Sequence, residues 1–198
     1  MSLVVPVGGT WSAREGHLKW WLPDSAWCQA LVGAGHQLLD REDPFFWSTN
    51  LDGLSGHNAD WESAGAALKW YCQGKTVEAP VLLGHSHGGN VIAYACARGL
   101  KARVITVGTP VRADMQTIWR HAMANILEGR HIHIYSDESI GGEWQKWGSL
   151  PLPMGFAFTR EMPLARENIY IAGESHQGLM GPSVWDSQNL WRTLEEGT

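Results

Sequence analysis

The chain has little that would tie it to a membrane, a nucleic acid or an oxidising compartment. No apolar run in its 198 residues reaches the ~18 that a spanning helix needs, so no stable membrane insertion is expected. Lys and Arg number 15 against 20 Asp and Glu, and the resulting net charge of −5 gives no basic footprint for a nucleic acid. The opening "MSLVVPVGGTW" lacks the positive n-region and longer apolar core of a secretion signal. It reads instead as a first buried strand, and a cytoplasmic protein is expected. Only three cysteines occur, Cys28, Cys72 and Cys96, far apart and each within a segment of helical pattern. That pattern fits buried, reduced thiols and not a disulfide framework.

What is present reads as globular: 44% hydrophobic residues with 18% charged, in a length suited to one domain, 1–198. The twelve tryptophans are the unusual part of the composition. So many large rings cannot all be core, and some are expected to line a cleft or reach the surface.

Short apolar runs alternate with longer segments of helical period. Strands are expected at 3–7, 36–40, 79–85, 102–108, 130–136 and 167–173. Helices are expected from Asp24 or Ser25 to about Ala34, then over 59–74, 88–99, 113–127 and 183–196. This alternation argues for a three-layer α/β/α sandwich around a mostly parallel sheet. In such a sheet ligands sit beyond the carboxyl ends of the strands, which draws attention to the residues after Val7, His85, Ser136 and Gly173.

One of those places holds "VLLGHSHGGNVIAYACA", residues 81–97. Gly84-His85-Ser86-His87-Gly88 matches G-x-S-x-G; the bare pattern is weak, but an apolar strand leads in and a helix leads out, as a nucleophile elbow requires. The serine backbone is strained in such a turn, and side chains two residues either way would clash, hence the glycines. Gly89 lets the following helix lie close to the sheet.

A serine hydroxyl needs a base to take its proton and an acid to orient that base. His85 and His87 flank the serine, and neighbours on a sharp turn point away from its oxygen; packing is the simpler role for both. As a zinc pair they lack a third ligand at an obvious spacing, so no metal and no other cofactor is expected. After Asp137 the chain contains a single histidine, His176, just beyond the last strand. Asp137 follows the strand "RHIHIYS" directly and is the favoured acid, with Glu138 and Asp114 as rivals. The order Ser86, Asp137, His176 is the one that this motif's hydrolase class uses. For the oxyanion, two N–H donors are needed: the amide of His87, and one from the loop after the first strand, where Thr10 is the first choice and Gly9 the fallback.

With these residues in place the chain resembles the α/β-hydrolase family. "GHSHGGN" is similar to the elbow of bacterial lipases and esterases, and "PVGGTW" to their oxyanion loop. Gly8 departs from the pattern, standing where many relatives carry histidine, so the loop's outer support must differ. The resemblance also implies that two leading strands are missing, which leaves about six, and that no segment is long enough for a large cap; residues 138–166 are a candidate small flap.

The resemblance implies acyl transfer to water from a small-molecule ester: Ser86 attacks, His176 shuttles the proton and Asp137 holds the imidazolium. Trp11, Phe46, Trp47, Trp144 and Trp147, in loops near the same sheet edge, are the candidate apolar substrate pocket, with loop anchoring in the core as the alternative for each. The same triad also suits a thioester or an amide. A reading from a different class is a non-catalytic binding protein whose Trp-rich loops stack on sugars or apolar partners.

Overall fold

The computed structural model describes residues 1–9, 19–47, 57–110, 113–136 and 161–195. The apolar run Leu3–Val7 forms strand β1, buried from Val4 onward. Ser25 caps helix α1 (Ala26–Gly33): its hydroxyl accepts the Cys28 amide at 3.1 Å, satisfying one of the donors a first turn leaves open. Gly35, at φ +89°, turns the chain out of that helix into the short strand β2 (Gln37–Leu38). Helix α2 (His57–Lys75), strand β3 (Val81–His85), helix α3 (Gly88–Ala97) and strand β4 (Ala102–Val107) follow the apolar periodicity closely.

Two helical expectations need correction. The segment 113–127 yields a 3-10 turn and helix α4, which stops at Met123. Ile126 is claimed instead by strand β5 (Ile126–Tyr135), where it pairs with Ala102 and is buried. The side-chain Nδ2–H of Asn125 donates to the Cys96 carbonyl at 2.9 Å, fixing the exit from the helix. After strand β6 (Glu167–Tyr170), the expected closing helix splits into α5 (Pro182–Ser187) and a 3-10 segment, Leu190–Leu194. Asn189 between them is left-handed, φ +53°, a conformation a continuing helix does not admit.

Among the described residues six strands, all parallel, form one sheet in the order β2-β1-β3-β4-β5-β6. The chain direction across the sheet therefore reverses between β1 and β3, the switch point where such sheets open a crevice. Register aligns the strand exits there: Val7 lies opposite Gly84, His85 opposite Val107, and Val107 opposite Ile134.

Side chains alternate between two cores. Val5, Val7, Leu82 and Val104 pack with Trp61, Leu68, Val91 and Trp119 on the face covered by α2, α3 and α4. Val4, Leu83, Ile105 and Ile134 pack with Trp27, Leu31, Trp185 and Leu194 on the other face. The result is an α/β/α sandwich, and no large cap is evident among the described residues. Gly65 lets α2 approach α3, since a Cβ there would stand 2.5 Å from Tyr94 Cβ. The three cysteines are free and buried, one in each of α1, α2 and α3, and burial pushes their thiols up, Cys28 to about 11 and Cys72 and Cys96 to about 12. Among the described residues no helix is long and apolar enough to cross a membrane.

Candidate active site

Ser86 follows β3 directly and sits at φ +54°, in the left-handed region that a serine enters at a cost of order 1–3 kcal/mol. Two backbone bonds hold it there: its amide donates to the Val107 carbonyl at 2.9 Å, and its carbonyl accepts from the Gly89 amide at 3.2 Å. The flanking glycines are sterically required. A Cβ on Gly84 would stand 2.6 Å from the Gly89 nitrogen, and one on Gly88 would stand 2.2 Å from the Val7 carbonyl oxygen. Gly89 similarly meets Thr106 and Thr109, so helix α3 lies directly on β4.

His176 arrives from the loop after β6. Its ring packs on that of His85, centroids 4.4 Å apart, and against Gly108 at the end of β4, where a Cβ would lie 2.8 Å from His176 Nδ1. The residue keeps some exposure, but Nδ1 itself is buried and has no hydrogen-bond partner among the described residues. Desolvation, then the neighbouring His85 and His87, hold its pKa well below the ordinary imidazole value, which favours the neutral ring that a general base needs. The loop is tied at two points. His85 Nε2–H donates to the His176 carbonyl at 2.8 Å, and the Ser136 hydroxyl, at the end of β5, donates to the Glu174 carbonyl. The second bond joins the residue before Asp137 to the residue two before His176.

His85 is buried, and that burial lowers its pKa to about 4. Its ring is therefore neutral, sandwiched between His176 and the edge of Trp20. His87 is the cap residue just before α3 and stacks on the Trp61 indole, centroids 4.6 Å apart, while the Asn90 side-chain Nδ2–H donates to its Nδ1 at 3.1 Å. The main-chain amide of His87 thus lies at a helix N-terminus, where partial positive charge accumulates.

Gly9 borders Ser86 on the other side: a Cβ there would stand 2.7 Å from Ser86 Cβ and 3.3 Å from Oγ. Behind it, the buried Trp47 indole N–H donates to the Gly8 carbonyl at 2.7 Å. Phe46 is 52% exposed and its ring lies against Trp21. Beside the His176 loop is an open, apolar cavity of about 530 Å³, lined in part by Trp20, Trp27, Gln177, Met180 and Pro182.

The fold thus gathers Ser86, Gly9, His87 and His176 at the exits of β1, β3 and β4. Thr10, Trp11, Asp137, Glu138, Trp144, Trp147 and most of the candidate flap lie outside the described residues. Asp114 is exposed, in the 3-10 turn that leads into α4. Among the described residues no group of three His, Cys, Asp or Glu is placed to hold a metal ion. The roles of His85 in holding the His176 backbone and of Trp20 in backing His85 have no local signal, because both depend on contacts far apart in sequence.

No family model and no curated protein matches the chain. Solved structures do. The mature form of the lipase BlEst2 from Bacillus licheniformis superposes with a TM-score of 0.56 at 14% identity, covering 98% of this chain and 92% of that one. A serine hydrolase homologue from Coxiella burnetii gives 0.51 at 16% identity, over 98% and 86%. A serine hydrolase without lid from Xanthomonas campestris gives 0.50 at 13%, over 100% and 85%. The parallel six-stranded sheet, the strained serine at the exit of β3 and these superpositions over almost the whole chain lead to one assignment: this chain has the α/β-hydrolase fold.

Proposed function

We propose that the chain is a serine hydrolase that cleaves carboxylic esters of small molecules through an acyl-enzyme. The observation that carries this reading is Ser86 itself, held at positive φ between two glycines with no room for a Cβ, while His176 packs over the adjoining strand exits. Ser86 Oγ attacks the ester carbonyl carbon as its proton passes to His176. The imidazolium, oriented by Asp137, then protonates the departing alkoxide, and water repeats the sequence to release the acid. The amide of His87, with that of Thr10 or Gly9, stabilises the tetrahedral oxyanion. The apolar cavity beside Gln177, together with the exposed Phe46, supplies a wall for an acyl chain of short or medium length. The lipase and serine-hydrolase neighbours favour the same chemistry.

A fluorophosphonate probe, with p-nitrophenyl butyrate as substrate, tests the proposal. Wild type is expected to be labelled and to turn over; Ser86→Ala is expected to do neither. Labelling or turnover that survives Ser86→Ala overturns it, and an absence of both in wild type favours the non-catalytic binding reading. Matched thioester and amide substrates then fix the leaving group.

A further inference from the structure

We infer that Trp47 is a positioning residue for the oxyanion loop, acting through the hydrogen bond from its indole N–H to the Gly8 carbonyl. The inference rests on the serine-hydrolase reading and deepens it. Gly8 and Gly9 are consecutive glycines, the residues with the widest backbone freedom, placed where a reaction of this kind needs a fixed N–H. Something outside the pair must hold it. Histidine, the usual neighbour of such a glycine by resemblance, is absent here because the position is Gly8.

The structure supplies the support from 39 residues away. Trp47 is 6% exposed, packed in the core with Val5, Val7, Phe45 and Trp61, so its indole has one fixed place. From there Nε1–H reaches the Gly8 oxygen at 2.7 Å. On another side of the same oxygen stands Gly88, whose Cβ, if it had one, would lie 2.7 Å away. The carbonyl is thus held between an indole and the first residue of α3.

A peptide unit is planar and, when trans, directs its N–H opposite to its C=O. There is no cis bond among the described residues. Fixing the Gly8 carbonyl therefore fixes the direction of the Gly9 N–H. This is the peptide that borders the nucleophile, since Gly9 abuts Ser86 Cβ and Oγ. Of the two candidate amides, it is that of Gly9 whose direction Trp47 sets. A group that preorganises a donor acts on the transition state and much less on the bound ester, so its loss lowers kcat with KM nearly unchanged.

The test replaces Trp47 by 3-benzothienylalanine, a near-isostere with sulfur in place of the indole N–H, introduced by stop-codon suppression. Trp47→Phe serves as a second variant. Rates on p-nitrophenyl butyrate are normalised to the sites titrated by a fluorophosphonate, and Tm is recorded. The expected result is a fall in kcat per titrated site of about tenfold, below the roughly 10²–10³-fold cost of deleting an oxyanion donor outright. KM is expected within twofold of wild type and Tm of the isostere close to it. An unchanged kcat per site overturns the inference, as does an effect confined to KM, which would make Trp47 a wall of the substrate pocket. Ser86→Ala, run in parallel, separates this failure from that of the underlying reading: full turnover in that variant removes the serine mechanism whatever Trp47 does.

Discussion

His85 Nε2–H donates to the main-chain carbonyl of His176 across 91 residues of sequence, at 2.8 Å, with the two rings in contact. The histidine next to Ser86 therefore holds the backbone of the candidate base. Removing the donor while keeping bulk, as in His85→Leu, is expected to lower kcat about 10- to 100-fold with little change in KM, because small displacements of a reacting group are costly. His85→Gln keeps an N–H on a side chain of similar reach and is expected to recover part of the loss. Wild-type kcat in His85→Leu would show that the tie is dispensable.

The elbow glycines make a steric prediction with an internal control. In Gly88→Ala the new Cβ meets backbone, the Val7 carbonyl oxygen at 2.2 Å and the Gly8 oxygen at 2.7 Å, and neither can swing aside as a side chain would. Overpacking of this kind costs about 1–3 kcal/mol, and activity is expected to disappear with the displaced loop. In Gly74→Ala, near the end of α2, the Cβ meets nothing within 4 Å. That change is expected to stabilise by roughly 0.5–1 kcal/mol, the helix cost of glycine. Urea unfolding of both variants checks the pair; equal effects would contradict the packing described here.

Much of the fold was legible because it is local. The strand Leu3–Val7 is bounded by its own apolar run, and Gly84-x-Ser86-x-Gly88 announces a turn that is strained and crowded in the fold. The misreadings arose where a tertiary partner overrode local preference. Ile126 continues a helical pattern but gains more by pairing with Ala102, and Asn189 takes a left-handed turn inside an otherwise helical stretch. The site behaved in the same way. Trp47 looks in the sequence like any loop aromatic near a cleft; only the folded chain brings its N–H to Gly8, 39 residues away.

The acid limb of the activity profile should report His176. Only the neutral ring accepts the Ser86 proton, so turnover is present above its pKa and lost as pH falls through it. Burial and two neighbouring imidazoles displace that pKa downward from 6.5, so the neutral form persists further into acid than in a free histidine. A plot of kcat/KM against pH for an uncharged ester is expected to fall with an apparent pKa below 6.5. A midpoint above 6.5 would contradict it.

Stability should follow two other histidines. The Thr106 hydroxyl lies 2.9 Å from His131 Nε2 and 2.8 Å from His133 Nδ1, and it can donate to only one of them, so it accepts from the other. His131 also stacks on Trp119 at 4.6 Å. Burial, reinforced by His133, lowers the His131 pKa to about 3, and burial lowers that of His85 to about 4, from 6.5. Below pH 6.5 the unfolded chain therefore binds protons that the folded chain refuses. Stability is complete above 6.5, declines as pH falls, and stops declining on account of each group once its folded pKa is passed. For His85 alone the full loss is about 3 kcal/mol, a large part of the ~5–15 kcal/mol typical of a domain. The urea midpoint is accordingly expected to drop clearly between pH 7 and pH 4.5. Thr106→Val, which keeps the shape and removes the shared hydroxyl, is expected to cost a further 1–3 kcal/mol, roughly the penalty of an unmet buried polar group, already at pH 7. A midpoint that does not move with pH would mean that these rings are not held neutral in the core.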